Sequence, residues 1–317
     1  MTFGACLVKK NNLEAIIITD SRGTYSGRES DAYSKIETFE KNDCHGALFG
    51  SGSANLLFGA FREVKEAKGN SIEKIANEIR KKHERRLWKI EQSMLDYISS
   101  ETKKKVNELH KKANSEAYPL DLSNYFQSEI TNGIGIVNNW KDSHRTEFLI
   151  AGVDAAESPE IKMFYFSEEI FSPIYDSFFV LGSAQDASEM YFLEQLTKDG
   201  LKNTEDLIFH ALNGFHTGCN NVGVGGLPSI VIINKDGIKN IPKKEVIALM
   251  NLTGAYLSGY IRDKIDKKSF LNLIKEMYNE NPDAIKEASK ITKLNTEYFK
   301  KLAIPYSSWR MLCNGDF

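Results

Sequence analysis

The sequence predicts an α/β protein: a four-layer α/β/β/α sandwich of two antiparallel sheets with helix pairs outside, a long helical insertion and a helical C-terminal tail. Three observations lead there. Short runs of period two, rich in β-branched and aromatic residues, cluster within the first fifty residues and again after about 130. Amphipathic stretches with apolar residues three or four apart follow each cluster. The resulting order is strands, two helices, strands, two helices, a strand and a helical tail. It assigns 1–242 to one domain, with a charged helical insertion at about 70–130, and 243–317 to a helical extension.

The elements follow in order. "TFGACLV" (2–8) alternates, "LEAIIIT" (13–19) is β-branched and apolar, and "KKNN" between them is a polar link of hairpin size. "KIETF" (35–39) and "HGALFG" (45–50) add two short strands. From Ser53 to Lys68 the period changes, with Leu56, Leu57, Ala60, Phe61 and Val64 at helical spacing. A second stripe runs through Ile72, Ile75, Ile79, His83, Leu87, Ile90, Met94 and Ile98. At 3.6 residues per turn it persists for roughly seven turns, which predicts a projecting helix with a narrow contact seam, ended before Pro119. Strands are expected at "NGIGIVNN" (132–139), "TEFLIAGVDA" (146–155) and "EIKMFYFS" (160–167). Helices are expected at 183–196 and 204–216, then the glycine-rich "GCNNVGVGG" (218–226), a strand at 229–235, and helix from Lys243 onward with Pro282 and Pro305 as breakers.

Composition narrows the function classes. The 317 residues hold 41 Lys+Arg against 43 Asp+Glu. No run approaches the ~18 apolar residues of a membrane span, and the start lacks a signal-peptide pattern, so a cytoplasmic protein is expected. Cys6, Cys44, Cys219 and Cys313 are scattered, which fits reduced thiols; no metal and no cofactor are expected. Residues 62–112 carry 15 Lys/Arg against 9 Asp/Glu, whereas 154–208 carry 12 Asp/Glu against 3 Lys, so opposite poles can meet within or between subunits. Alternating Glu and Lys along a helix reads as a solvated face rather than a nucleic-acid surface.

The chemistry begins at the tip. A threonine hydroxyl is a poor nucleophile near neutral pH and needs a base beside it. With Met1 removed, the α-amine of Thr2 would supply that base, its unperturbed pKa being about 7.7–8.0. A nearby lysine would disfavour the charged amine and stabilise a developing alkoxide, and an aspartate would keep the lysine paired. Asp20 in "TDSRG" and Lys35 in "YSKIETF" lie at strand ends or turns where side chains can converge.

Thr2 after the initiator, "TDSRG" (19–23) closing the second strand, Lys35 opening the next, and the turn "GSGSAN" (50–55) entering a helix carry a resemblance. In order and spacing the chain resembles the proteasome β-type N-terminal nucleophile (Ntn) hydrolase family, which includes the 20S proteasome β subunits and bacterial relatives. The resemblance implies the Ntn-hydrolase fold, with Thr2 as nucleophile and base and with Asp20 and Lys35 tuning it. It also implies an oxyanion N–H in the 50–52 turn, at Gly50 or Gly52. "LGSA" (181–184) resembles the family's glycine-serine turn, and that resemblance implies Ser183 as a candidate hydrogen-bond partner of the Thr2 amine. Where the family has an aspartate and a serine this chain has Asn221, which can hydrogen-bond without charge, and Val224, which has no hydroxyl. The implied reaction is amide, first of all peptide, cleavage through an acyl-Thr2 ester. The implied partners are a peptide or protein substrate, further copies of the chain in a homo-oligomer, and an ATP-dependent unfoldase.

Plainer readings stand beside these. Thr2 can be a strand residue behind a retained methionine, Asp20 a turn former, Lys35 an edge residue, and "GSGSAN" a helix cap. The chain would then be a catalytically inactive scaffold or assembly subunit; an acyl transferase or transpeptidase would share the ester intermediate. Cys44-His45 is not read as a dyad, because strand neighbours face opposite ways.

Overall fold

In β1 (Phe3–Lys9) Phe3, Ala5 and Leu7 face one side and Cys6 and Val8 the other, and the same alternation recurs in β2 (Glu14–Thr19), where Ile16 and Ile18 oppose Ala15 and Ile17. Both faces are buried, so these strands lie inside a layered protein rather than on its surface. The computed structural model describes residues 3–25, 28–30, 34–41, 43–116, 122–155, 159–220 and 224–314. They form two compact units, 1–79 with 146–317, and 80–145.

The first unit holds two five-stranded antiparallel sheets. After the small β3 (Gly23–Tyr25) and β4 (Arg28–Ser30) pair come β5 (Ile36–Glu40), β6 (Cys44–Gly52) and α1 (Ala54–Glu66). Then follow α2 (Ile72–Glu116), whose start belongs to this unit, β7 (Thr146–Asp154), β8 (Glu160–Phe166), β9 (Phe171–Ile174) and β10 (Phe178–Gly182). Next are α4 (Gln185–Asp199), α5 (Thr204–Gly218), β11 (Ser229–Asn234) and β12 (Gly237–Asn240); α3 (Leu122–Ser143) lies in the second unit. One sheet has the order β10-β1-β2-β11-β12 and the other β5-β6-β7-β8-β9. Between them lies an apolar layer of Cys6, Ile17, Val231, Phe49, Leu149 and Met163. Outside the second sheet, Leu48, Phe148 and Phe164 pack with Leu57 and Phe61 of α1 and with Ile72, Ile75 and Ile79. Outside the first sheet, Phe3, Ile16 and Ile232 pack with Phe192 of α4 and Leu212 and Phe215 of α5. The layers are therefore α/β/β/α, as the sequence order predicts.

The tail joins this outer core. It comprises α6 (Lys243–Leu257), α7 (Lys267–Tyr278), α8 (Pro282–Thr292), α9 (Thr296–Lys301) and α10 (Tyr306–Asn314). Phe270, Met277, Phe299 and Trp309 are fully buried in the same cluster as Phe3 and Phe215. Asn251 of α6 fixes the path after α9: its Nδ2 donates to the Phe299 and Leu302 carbonyls, both at 2.9 Å, and its Oδ1 accepts from the Ile304 amide at 2.8 Å. A fully buried amide with three such bonds leaves the segment little freedom.

The second unit corrects one expectation. Residues 132–139 are part of helix α3, not a strand. Gly133 and Val137 are the buried positions, four apart, while Ile134 and Ile136 are exposed, so the apparent alternation of "GIGIV" is a helix seen across its faces. A Cβ at Gly133 would lie 2.3 Å from Ile98 Cγ2, so the glycine permits close approach of α2 and α3. Lys105–Glu129 at 3.0 Å and Lys141–Glu91 at 2.8 Å set the two helices antiparallel. Pro119 lies outside the described residues.

Candidate active site

Asp20 is where the β1–β2 ladder ends, and its carboxylate extends that ladder by one bond. The Asp20 amide donates to the Phe3 carbonyl at 3.0 Å, and the Phe3 amide donates back to Asp20 Oδ1 at 2.9 Å. Lys35 lies just ahead of β5 in the other sheet, and its Nζ donates to the same Oδ1 at 2.7 Å and to the Arg22 carbonyl at 2.5 Å. One carboxylate oxygen thus joins the first peptide of β1 to a lysine arriving from the opposite sheet. Asp20 is 0% exposed and Lys35 6%. A charge pair so enclosed is costly to assemble.

Burial pushes the Asp20 carboxyl above its ordinary value; the Lys35 charge and hydrogen bond oppose this, helped by the Phe3 and Gly225 amides. Oδ2 nevertheless has no hydrogen-bond partner, and neither do the buried hydroxyls of Thr19 and Ser21. Three unpartnered buried oxygens on consecutive residues are unusual, since leaving one such group unpaired costs about 1–3 kcal/mol. Thr19 and Ser21 carry no signal in the sequence beyond flanking Asp20 in "TDSRG".

The other expected residues are distributed as follows. Thr2 and Asn221 lie outside the described residues. Phe49 pairs with Ile36, so Gly50 and Lys35 occupy the next positions along neighbouring strands. Gly50 is buried in the β6–β7 ladder opposite Phe148, and a Cβ there would lie 2.6 Å from the Glu147 carbonyl oxygen and 2.7 Å from Leu57. Gly52 ends β6 with φ +113°, a conformation that favours glycine, immediately before Ser53 and α1. Ser183 is exposed in the turn from β10 to α4, next to Gly182, which pairs with Phe3. Asp20, Lys35, Gly50 and Ser183 therefore converge on the end of the sandwich where β1 starts. Val224 is 4% exposed and packed in the outer core, an apolar contact in place of a hydroxyl.

Solved structures to which the chain is similar include Anbu proteins. Anbu (ancestral beta-subunit) from Yersinia bercovieri is 11% identical, with a TM-score of 0.46 over 82% of this chain and 95% of that one. An Anbu (Gly-1) mutant from Hyphomicrobium sp. strain MC1 is 13% identical, with a TM-score of 0.42 over 92% and 97%. Anbu from the same strain is 14% identical, with a TM-score of 0.41 over 91% and 97%. No family model matches the chain, and no curated protein matches it.

Other reactive side chains serve different ends. Cys44 packs beneath α1 and α2, whereas the adjacent His45 turns its Nε2 to the Asn234 carbonyl at 2.6 Å, so the two occupy opposite faces of β6. Cys219 is exposed as a residue, yet the protein around its thiol pushes the pKa up to about 12, with Asp20 adding to the rise and Arg22 opposing it, so it remains a thiol. Among the described residues no group of three or more His, Cys, Asp or Glu side chains could hold a metal ion, and no helix is long and apolar enough to cross a membrane.

Proposed function

We propose that the protein is an N-terminal threonine hydrolase cleaving amide bonds, with peptides as substrates and Thr2 as nucleophile once Met1 is removed. The observation that carries this is the shared Oδ1 of Asp20, bonded at once to the Phe3 amide and to the Lys35 ammonium. It brings a buried, neutralised charge pair to within one residue of Thr2.

In the proposed cycle the Thr2 hydroxyl oxygen attacks the substrate carbonyl carbon while its proton passes to the free α-amine. The positive field of Lys35 favours the unprotonated amine beforehand and the alkoxide as it forms, and Asp20 prevents Lys35 from standing uncompensated. An N–H of the Gly50–Gly52 segment, at the end of β6, receives the oxyanion. Collapse expels the substrate amine, which takes the proton from the α-amine and leaves an acyl-Thr2 ester. Water then attacks the ester, giving its proton to the α-amine, and the threonine oxygen departs with that proton. An amine attacking in place of water would make the same intermediate serve acyl transfer.

A second reading, a catalytically silent scaffold subunit, draws on Val224, whose buried apolar side chain replaces an expected hydroxyl. The proposal extends to a cytoplasmic homo-oligomer served by an ATP-dependent unfoldase. Exposed Trp88, Tyr97, Ile134 and Ile136 on the second unit favour subunit contact.

Intact-mass analysis of purified protein before and after an electrophilic β-lactone decides between the readings. A mass lacking Met1, a single adduct, and loss of both adduct and peptide cleavage in Thr2→Ala are expected. Retention of Met1 on essentially all molecules, or an adduct that persists in Thr2→Ala, would sink the hydrolase reading.

A further inference from the structure

A cavity of about 600 Å3 opens beside Arg22, between the end of α5, the 224–227 loop and the tail segment 303–310. Its volume falls in the range of small-molecule sites. Its wall is held in place: the Asn251 amide bonds that clamp Phe299, Leu302 and Ile304 set the path of the segment entering the cavity. The apolar floor comes from Phe215, Met250 and Ile304, and the polar part from Arg22, Tyr306, Ser307 and Arg310. Among the described residues that line it there is no carboxylate, whereas Arg22 and Arg310 bring guanidinium groups.

Two details give the charge a direction. Gly225 lets the loop backbone lie against the Arg22 guanidinium; a Cβ there would meet Arg22 Cζ at 2.9 Å, so the arginine is packed at the cavity edge. His216, 4% exposed, also lines the cavity, and its buried Nε2 has no hydrogen-bond partner. Burial lowers its pKa to about 4, opposed by a bond to the Met250 backbone, so near neutral pH the ring is uncharged and Nε2 is unused by the protein. Its ring lies 5.5 Å from that of Tyr306.

We propose that this cavity binds a small carboxylate with an apolar body, of the kind presented by a hydrophobic residue at the C-terminus of a peptide. The carboxylate meets Arg310, with Arg22 at the cavity edge, and the side chain lies on Met250, Ile304 and Phe215. An apolar floor favours this ligand over a bare inorganic anion, which would leave the floor uncovered. Because Arg22 also offers its carbonyl to Lys35, a ligand here sits one residue-length from the Asp20–Lys35 pair. The inference does not depend on Thr2 acting as a nucleophile.

Isothermal titration of the full chain with N-acetyl-leucine tests it, with N-acetyl-leucinamide and inorganic phosphate as comparison ligands. Saturable binding of the carboxylate is expected, weakened on the order of tenfold in Arg310→Gln by loss of a charge-assisted bond. Ser307→Asp, at another exposed position, should weaken it as well by placing a negative charge at the site. Both positions are on the surface, so both variants should fold. Absence of saturable binding, equal affinity for the amide, tighter binding of phosphate, or affinity unchanged in both variants would overturn the proposal.

Discussion

Replacing Lys35 by Met would leave the Asp20 carboxylate, which is fully buried, facing only the Phe3 and Gly225 amides. Removing one partner of a buried pair typically costs about 3–5 kcal/mol, a large share of the ~5–15 kcal/mol that holds a domain folded. The cost should depend on pH in a definite sense. Burial already raises the Asp20 carboxyl in the native protein, so the folded state holds that proton more tightly than the unfolded chain. Its contribution is therefore most favourable in acid and declines as pH rises from about 3.9, the unfolded value, through the raised native value. Lys35 is the main influence opposing the rise, so its loss moves the native value higher and widens that interval. Urea unfolding followed by circular dichroism, for both proteins at about pH 7.5 and about pH 4.5, reads the difference. The destabilisation should be about 3–5 kcal/mol at the higher pH and clearly smaller at the lower, where Asp20 can take up a proton. Asp20→Asn combined with Lys35→Met should recover part of the loss at the higher pH, because no uncompensated charge then remains. A penalty that is constant with pH, or larger in acid, would refute the reasoning.

Gly50→Ala should destabilise by about 1–3 kcal/mol, since the new Cβ would press on the Glu147 carbonyl and Leu57, and the carbonyl belongs to a ladder that cannot yield; thermal unfolding checks this, and an unchanged midpoint would contradict the packing described. The buried rings of His83 and His216 both have pKa values lowered to about 4, so each favours the folded state fully above the unfolded value of about 6.5 and loses that contribution as pH falls toward 4. His216→Phe should accordingly flatten the acid limb of the stability profile between about pH 6.5 and pH 4, and an unaltered slope would show that the ring is not held neutral.

Much of the site's address is written in local pattern. Alternation in "TFGACLV" and "LEAIIIT" implies two adjacent buried strands, and "TDSRG" then has to turn at the end where β1 begins. Lys35 at the entry to the next strand is equally legible. The pairing itself is not, because Asp20 and Lys35 belong to different sheets, and their 2.7 Å contact exists only when those sheets stack with one particular end aligned. The unpartnered oxygens of Thr19 and Ser21 are likewise a product of burial, which sequence spacing does not report.

The same division explains the misread segment and the tail. "NGIGIVNN" alternates over too few residues to separate a strand from a helix whose buried positions are four apart, and the contact of Gly133 with Ile98 comes from a residue 35 positions earlier. From Lys243 onward the helices are evident in the sequence, but their incorporation into the outer core is decided by Asn251, Phe299 and Trp309 meeting residues far away in the chain. By itself the sequence determined segments such as β1, β2 and the tail helices, though not 132–139, and which residue types stand at strand ends, because backbone preference and side-chain period act over a few neighbours. The tertiary structure alone decided which ends meet, which charges lose water and which cavity the tail encloses, because desolvation and long-range packing depend on chain segments that only folding brings together.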